Sequence, residues 1–285
     1  MSNTATRADV APLRLSSVQA RKRFGQHFLV DRAVIGAIVS AIAPHPGDNL
    51  IEIGPGPGVL TAPLVQLAGR ITAIEIDRDL APRLQAHFGQ HLDLVHQDVL
   101  KVDFSTFGER QRIVGNLPYN ISSPLLLHLM AVADRVLDQH FMLQKEVVDR
   151  IVAQPGGEMG RLTVFLQNRY QVAHLFDVPP EAFDPPPRVE SSIVRMVPLG
   201  RPHTQAIPQL EQALAAAYSQ RRKMLRKTLG TWLAQHHPNL VLDRAAAADA
   251  RLAPLTDLSQ RPEQIPVMAW FALADALAAR NTTHS

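Results

Sequence analysis

The chain contains no cysteine. That absence excludes disulfide bridges, thiolate metal sites and iron–sulfur clusters, and with them every mechanism that depends on a cysteine nucleophile. Long apolar runs are missing too: nothing approaches the ~20 residues that span a bilayer. The opening stretch "MSNTATRADVAPLRLSSVQA" has no apolar segment of the kind a secretory signal carries. Residues 1–20 are therefore expected to form a flexible tail on a cytoplasmic protein with no membrane partner. A dominant charge is also absent. The 29 Lys+Arg against 26 Asp+Glu leave a formal net charge of +3, too small to demand an anionic partner, so the placement of charge matters more than its sum.

What is present describes a large core. Over 285 residues, 46% are hydrophobic and 19% charged, the balance of a soluble globule. The length predicts that core plus a smaller appended unit. From Asn49 to Ile151 short β-branched runs alternate with longer amphipathic segments. "NLIEIG", "RITAIEID", "LDLVHQD", "QRIVGN" and "QHFMLQ" read as buried strands, and "VLTAPLVQLA", "RDLAPRLQAHF" and "PLLLHLMAVA" as crossover helices. Pro63 and Pro82 fall early in their helices, where a missing N–H costs least. This alternation predicts an α/β fold with a parallel, doubly wound sheet. After the proline-dense loop "VPPEAFDPPPRVESS" and the run "IVRMV", the composition shifts near Gly200 to Ala, Gln and Arg without strand-like runs. The expected division is a sheet domain over 21–200 and a small all-helical domain over 201–285.

In doubly wound sheets ligands bind beyond the carboxyl ends of the strands, so the strand tips carry the functional information. The first ends in "EIGPGPGVL", where Gly54, Gly56 and Gly58 keep side chains away from a ligand that approaches the backbone. The second ends at Glu75, where a carboxylate can accept both hydroxyl protons of a ribose. The third ends at Asp98. A nicotinamide enzyme shares the glycine turn and the acid, but its third glycine position is Val59 here, and Pro55 and Pro57 stiffen the turn. A tight turn with no ligand and solvated acids is the plainer alternative.

The fourth tip carries "GNLPYNIS". The series "EIGPGPG", "EID", "QD" and "GNLPY" resembles class I (Rossmann-like) S-adenosylmethionine-dependent methyltransferases that act on an exocyclic amine. More narrowly, "RFGQHFLVD", "GNLPYNISSPLL", "GRLTVFLQ" and "AFDPPPRVESSIV" resemble the ribosomal RNA adenine N6,N6-dimethyltransferases of the KsgA/RsmA type, over a span from about Arg21 to about Leu233. Asn116 offers a side-chain carbonyl, and the main-chain carbonyl of Leu117 or Pro118 a second acceptor, to draw an aromatic amine towards tetrahedral geometry. Pro118 lacks an N–H and restricts the backbone around it. Tyr119 can stack on an extruded base. An amine target also survives the cysteine exclusion, which C5-pyrimidine and radical methylations do not. The plainer reading of "NLPY" is a proline-terminated strand with a packing tyrosine.

The resemblance implies further roles. S-adenosyl-L-methionine would be the methyl donor, with no metal, held by His27, Leu29, Gly54, Glu75, Asp98 and Asn116. His27 stands where the resembled pattern has asparagine. Phe183, in "EAFDPPPRV", would sandwich the target adenine against Tyr119, and the prolines at 180 and 185–187 would stiffen that loop. The substrate would be two adjacent adenosines near the 3′ end of 16S ribosomal RNA, in the small subunit or its precursor. Basic residues gather in "RKRF" at 21–24 and in "QRRKMLRKTL" at 220–229. If the latter is helical, Leu214, Tyr218, Leu225, Leu229 and Trp232 form an inward stripe. Arg221, Arg222, Lys223, Arg226 and Lys227 are then expected to meet RNA phosphates. Nothing suggests an obligate interface, so a monomer is expected. A large-subunit adenine methyltransferase of the antibiotic-resistance type and a catalytically idle assembly factor are the alternatives.

Overall fold

The computed structural model describes residues 11–13, 27–220 and 222–281. Its elements follow the chain as β1 (Phe28–Leu29), α1 (Arg32–Ile42), β2 (Asn49–Ile53), α2 (Thr61–Ala68), β3 (Ile71–Glu75), α3 (Ala81–Phe88), β4 (Leu92–His96), β5 (Gln111–Asn116), α4 (Ser122–Met130), β6 (Val136–Gln144), α5 (Lys145–Val152), α6 (Arg161–Arg169), β7 (Tyr170–Val178), β8 (Phe183–Asp184) and β9 (Ser191–Pro198). Helices then take over: α7 (Ile207–Ala217), α8 (Leu229–His236), α9 (Leu242–Ala248) and α10 (Val267–Asn281). The five strands and three crossover helices expected from periodicity all form. The expectation left out α1, which starts where Asp31 accepts hydrogen bonds from the N–H groups of Ala33 (2.7 Å) and Val34 (3.0 Å).

Seven strands form one sheet in the order β4-β3-β2-β5-β6-β9-β7. The pairs β3–β4, β2–β3, β2–β5 and β5–β6 are parallel, and β9 runs antiparallel to β6. Strand order reverses between β2 and β5, since β2 has β3 on one side and β5 on the other. That reversal opens a crevice at the carboxyl ends, the standard ligand position in such sheets. Gly115 permits the close approach there: a Cβ built on it would lie 2.6 Å from the Ile53 carbonyl oxygen.

One buried ion cluster fixes α1 to the sheet. Arg112 on β5 donates to both carboxylate oxygens of Asp138 on β6 (3.0 and 2.7 Å), to Asp48 (2.7 Å), and to the carbonyls of Ile42 (2.6 Å) and Ala43 (3.1 Å) at the end of α1. Those carbonyls are among the ones a helix end leaves without partners, so the guanidinium serves as a long-range cap. His140 is buried beside this cluster, and burial lowers its pKa to about 4.

The chain divides into two compact units, Met1–Val148 with Ala173–Pro198, and Asp149–Val172 with Leu199–Ser285. The expected boundary near Gly200 therefore misses an earlier crossing. Its physical reason is that Met159 and Val164, around α6, are buried in the helical cluster with Leu210, Leu214 and Trp270. Among the described residues after Leu199 there are helices and turns and no strand. Residues 11–13, expected within a flexible tail, are held against the glycine turn. The Leu13 N–H donates to the Pro57 carbonyl (3.0 Å), and His87 Nε2 lies 2.6 Å from the Ala11 oxygen. The rest of that tail, and "RKRF", lie outside the described residues.

Candidate active site

A cavity of about 430 Å³ opens at the carboxyl ends of β2 to β5. Its walls include His27, Leu29, Gly54, Glu75, Asp98, Asn116, Leu117, Pro118, Tyr119 and Phe183. Every residue expected to hold a cofactor or act on substrate is thus brought to one place. The turn after β2 depends on glycine: Gly54, Gly56 and Gly58 have φ of 66°, 56° and 84°, a region other residues enter only at a cost. A Cβ on Gly58 would also stand 2.8 Å from the Phe88 ring.

Glu75 is buried at the tip of β3, and its Oε1 accepts the Asp77 N–H at 2.8 Å. Burial pushes its carboxyl above the usual range, opposed by the main-chain N–H groups of Asp77, Gly56 and Ile76. The glycine turn and the acid are therefore joined directly. Asp98 accepts the Leu100 N–H at 3.0 Å, which starts a short 3₁₀ turn and sets the carboxylate at the cavity wall.

Sequence reasoning missed Glu52. It sits on β2 two residues before Gly54, lines the cavity, and is only 2% exposed. The Thr61 hydroxyl donates to its Oε2 at 2.6 Å. Burial lifts its pKa to about 7 against that hydrogen bond, and the Glu75 charge adds to the lift. The signal available was an acid inside an otherwise apolar strand, "NLIEI", where a charge costs most.

The fourth tip is a tight turn. After Asn116 the Leu117 N–H continues the ladder to the Met142 carbonyl (3.1 Å). The Pro118 carbonyl then accepts twice, from the Ile121 N–H and the Ser122 hydroxyl, at 3.1 Å each. Of the two main-chain acceptors expected from sequence, the Pro118 carbonyl is thus engaged by the turn. Tyr119 lines the cavity with its phenol 3.2 Å from the Ser191 hydroxyl on β9.

A two-stranded ladder borders the cavity. Strand β1 pairs antiparallel with β8, Phe28 opposite Asp184 and Leu29 opposite Phe183. His27 Nδ1 lies 2.7 Å from the Pro185 oxygen. The asparagine of the resembled pattern would carry an amide nitrogen on the same atom, Cγ, so both side chains present an N–H at this reach. Phe183 is 4% exposed, buried with Leu29, Met142 and Ile193 as well as lining the cavity.

The basic segment is not the continuous helix that the apolar stripe suggested. A 3₁₀ turn covers Tyr218–Gln220, Met224 is extended at ψ 152°, and a second 3₁₀ turn covers Leu225–Lys227 before α8 begins. The N–H groups of Leu225 and Arg226 bond to Gln260 and Leu258 carbonyls (2.8 Å each) instead of to the preceding turn. The inward residues largely survive the change: Leu214, Leu225 and Leu229 are buried, while Tyr218 and Trp232 are half-buried. Arg222, Lys223, Arg226 and Lys227 are exposed, and Arg221 lies outside the described residues. Among the described residues no group of three or more His, Asp or Glu is placed to hold a metal ion, and no helix is long and apolar enough to cross a membrane.

A sheet with this strand order, a glycine turn after its first member, and acids and an Asn-Leu-Pro-Tyr turn at the next tips define a class I S-adenosylmethionine-dependent methyltransferase. The family model for ribosomal RNA adenine dimethylase matches residues 17–259, and the chain belongs to that family. Ribosomal RNA small subunit methyltransferase A of Bordetella petrii is 55% identical over 269 residues, covering 92% of this chain and 97% of the relative. Its counterpart from Paracidovorax citrulli is 54% identical over 265 residues, covering 90% and 98%. Among solved structures, a dimethyladenosine transferase from Plasmodium falciparum has a TM-score of 0.73 at 23% identity over 90% of this chain and 98% of that one. The 23S rRNA methyltransferase ErmE has a TM-score of 0.69 at 22% identity over 88% and 99%. These two likenesses show the shared fold.

Proposed function

We propose that this chain dimethylates the N6 amines of two adjacent adenosines near the 3′ end of small-subunit ribosomal RNA, during assembly of that subunit in the cytoplasm. The observation that carries the reading is the convergence of two kinds of chemistry on one cavity: the glycine turn, Glu75 and Asp98 on one side, and Asn116, Leu117 and Tyr119 on the other. The residues present fit the proposed cofactor. A Cβ on Gly54 would stand 3.9 Å from the Asn116 main-chain oxygen, so a side chain there would project between the tips of β2 and β5, and glycine leaves that space open. Glu75 and Asp98 would hold the nucleoside, and the Gly54–Gly58 turn and Leu29 would hold the remainder. When bound, S-adenosylmethionine supplies an electrophilic sulfonium methyl group.

The chain's own contribution is positioning. An aromatic amine is a poor nucleophile because its lone pair is delocalised into the ring. Two fixed acceptors, the Asn116 side-chain carbonyl and the Leu117 main-chain carbonyl, favour the tetrahedral nitrogen over the planar one. Tyr119 and Phe183 would stack on the extruded base. No general base is needed, since the alkylated amine is strongly acidic and gives up its proton to solvent. Arg222, Lys223, Arg226 and Lys227 would contact backbone phosphates and set the approach of the RNA. The enzyme acts as a monomer in this reading.

The 50–55% identity to small-subunit enzymes supports the small-subunit substrate over a large-subunit one. The test is direct: the protein is incubated with labelled S-adenosylmethionine and under-methylated small or large subunits, and the modified nucleotide is mapped. Label on large-subunit RNA alone would replace the substrate assignment, and no label on either would favour the assembly factor.

A further inference from the structure

The glycine turn after β2 is held from outside as well as by its own bonds. Within the turn the Gly58 N–H donates to the Pro55 carbonyl at 2.9 Å. The carbonyl of Pro57, between Gly56 and Gly58, accepts from the Leu13 N–H at 3.0 Å. Two residues before Leu13, the Ala11 oxygen lies 2.6 Å from His87 Nε2 on α3. A carbonyl oxygen only accepts, so Nε2 carries the proton. Leu13 also packs against the apolar cluster that contains Leu60, Leu84 and Phe88, and Phe88 is the ring that a Cβ on Gly58 would meet. Residues 11–13, α3 and the turn thus close a three-sided frame. Pro12 sits between the two anchoring bonds; its fixed φ and its restriction of Ala11 leave these three residues few other conformations.

We propose that residues 11–13 are a strap that braces the turn for the cofactor, with His87 and the Leu13 N–H as its positioning groups. The reason is entropic. Gly54, Gly56 and Gly58 all have positive φ, and glycine has the most backbone freedom to lose when a ligand orders it. A turn already held by its Pro57 carbonyl loses less on binding. The brace also reaches the acid, because the Gly56 N–H, one residue before Pro57, is directed at the Glu75 carboxylate. Slackening the turn therefore loosens two parts of the cofactor wall at once and leaves Asn116, Tyr119 and Phe183 as they are. The effect falls on cofactor affinity and not on RNA engagement. The inference rests on the reading that the glycine turn and Glu75 hold S-adenosylmethionine.

Full-length variants separate the two anchors. His87 and Phe88 meet edge to face at 4.9 Å, so His87→Phe keeps an aromatic ring there and removes only the donor. Leu13→Pro removes the main-chain N–H. A double variant removes both, and Glu75→Ala tests the cofactor site itself. Each is assayed for S-adenosylmethionine affinity by calorimetry and for KM and kcat on under-methylated small subunits at saturating cofactor, with thermal unfolding alongside. Each single strap variant is expected to weaken cofactor binding about three- to tenfold, the scale of one hydrogen bond, with the RNA KM unchanged. The double variant is expected to lose little more than either single one, because a strap released at one end no longer braces. Unrelated changes at two separate surface positions would add instead. Additive losses, unchanged cofactor affinity, or a loss that falls on the RNA KM overturns the inference. Tighter cofactor binding overturns it too, since the strap would then obstruct the cavity instead of bracing its wall. If Glu75→Ala weakens cofactor binding and the strap variants do not, the cofactor reading stands and this inference fails. If the strap variants weaken binding while Glu75→Ala does not, the strap holds the turn as proposed and only the role of Glu75 is lost.

Discussion

The Tyr119 phenol lies 3.2 Å from the Ser191 hydroxyl. Ser191 is 1% exposed at the start of β9, so the tyrosine that follows the Asn-Leu-Pro turn is tethered to a fixed point of the sheet. The tether restricts the ring, and a ring already held loses less freedom when a base stacks on it.

This relationship separates stacking from hydrogen bonding. Tyr119→Ala removes the ring and is expected to weaken productive RNA binding by about 1–3 kcal/mol, the usual worth of base–aromatic stacking. Tyr119→Phe keeps the ring, loses only the Ser191 tether, and should cost well under half of that. Single-turnover methylation at saturating cofactor and varied RNA measures both. Equal losses would show that the hydroxyl, and not the ring face, is what the substrate needs.

Asn116→Ala should look different. Its acceptor matters most when the adenine nitrogen becomes tetrahedral, so turnover is expected to fall by about 10²-fold or more while RNA affinity changes little. The same single-turnover experiment reads it, as a lower plateau rate at unchanged half-saturation. Near-normal methyl transfer would sink the amine-activation mechanism even in an active methyltransferase.

The sheet and its tips were legible in the sequence because β2, β3 and β5 are mostly buried and read as short β-branched apolar runs, and the strand tips carry Gly54, Glu75, Asp98 and Asn116 at matching places. What escaped depends on pairings far apart in the chain. Tyr119 meets Ser191 across 72 residues, and His27 meets Pro185 across 158; neither partner shows a local pattern that names the other. Glu52 escaped for another reason: the acid inside the apolar run "NLIEI" is a local signal, but its partner Thr61, nine residues on at the start of α2, is not marked by the strand's own pattern. The basic segment kept its apolar spacing, yet its backbone bonds to Leu258 and Gln260, which the spacing could not reveal.

Lys223, Arg226 and Lys227 are exposed, and the RNA-binding role proposed for them is testable through salt. Replacing all three with alanine is expected to weaken RNA binding. The slope of log affinity against log salt should also flatten by up to about 0.9 for each phosphate that is no longer neutralised. Cofactor affinity should not move. If affinity and slope both stay at their native values, the segment is a solvated face and the RNA is held elsewhere.

Glu52 and His140 give the fold two opposed pH dependences. Glu52 titrates near 7 when folded against an ordinary value of 4.5, so between those values the folded state holds a proton that the unfolded chain has lost, and stability falls as pH rises through that window. His140 titrates near 4 when folded against an ordinary 6.5, so the unfolded chain binds the extra proton and stability falls as pH drops from 6.5 towards 4. From about pH 4.5 to 6.5 the two slopes oppose each other and stability should vary little on their account. Glu52→Gln keeps an acceptor for the Thr61 hydroxyl and removes the charge. The variant is expected to match the native protein near pH 4. It should grow progressively more stable relative to it towards pH 8, by up to about 3 kcal/mol from the size of the shift. Its own stability should climb from pH 4 to 6.5, because the His140 slope is no longer offset. Urea midpoints measured across pH 4 to 8 for both proteins decide the matter: a difference that does not change with pH would mean that Glu52 titrates in the folded protein as it does in the unfolded chain, and that burial does not hold a proton on it.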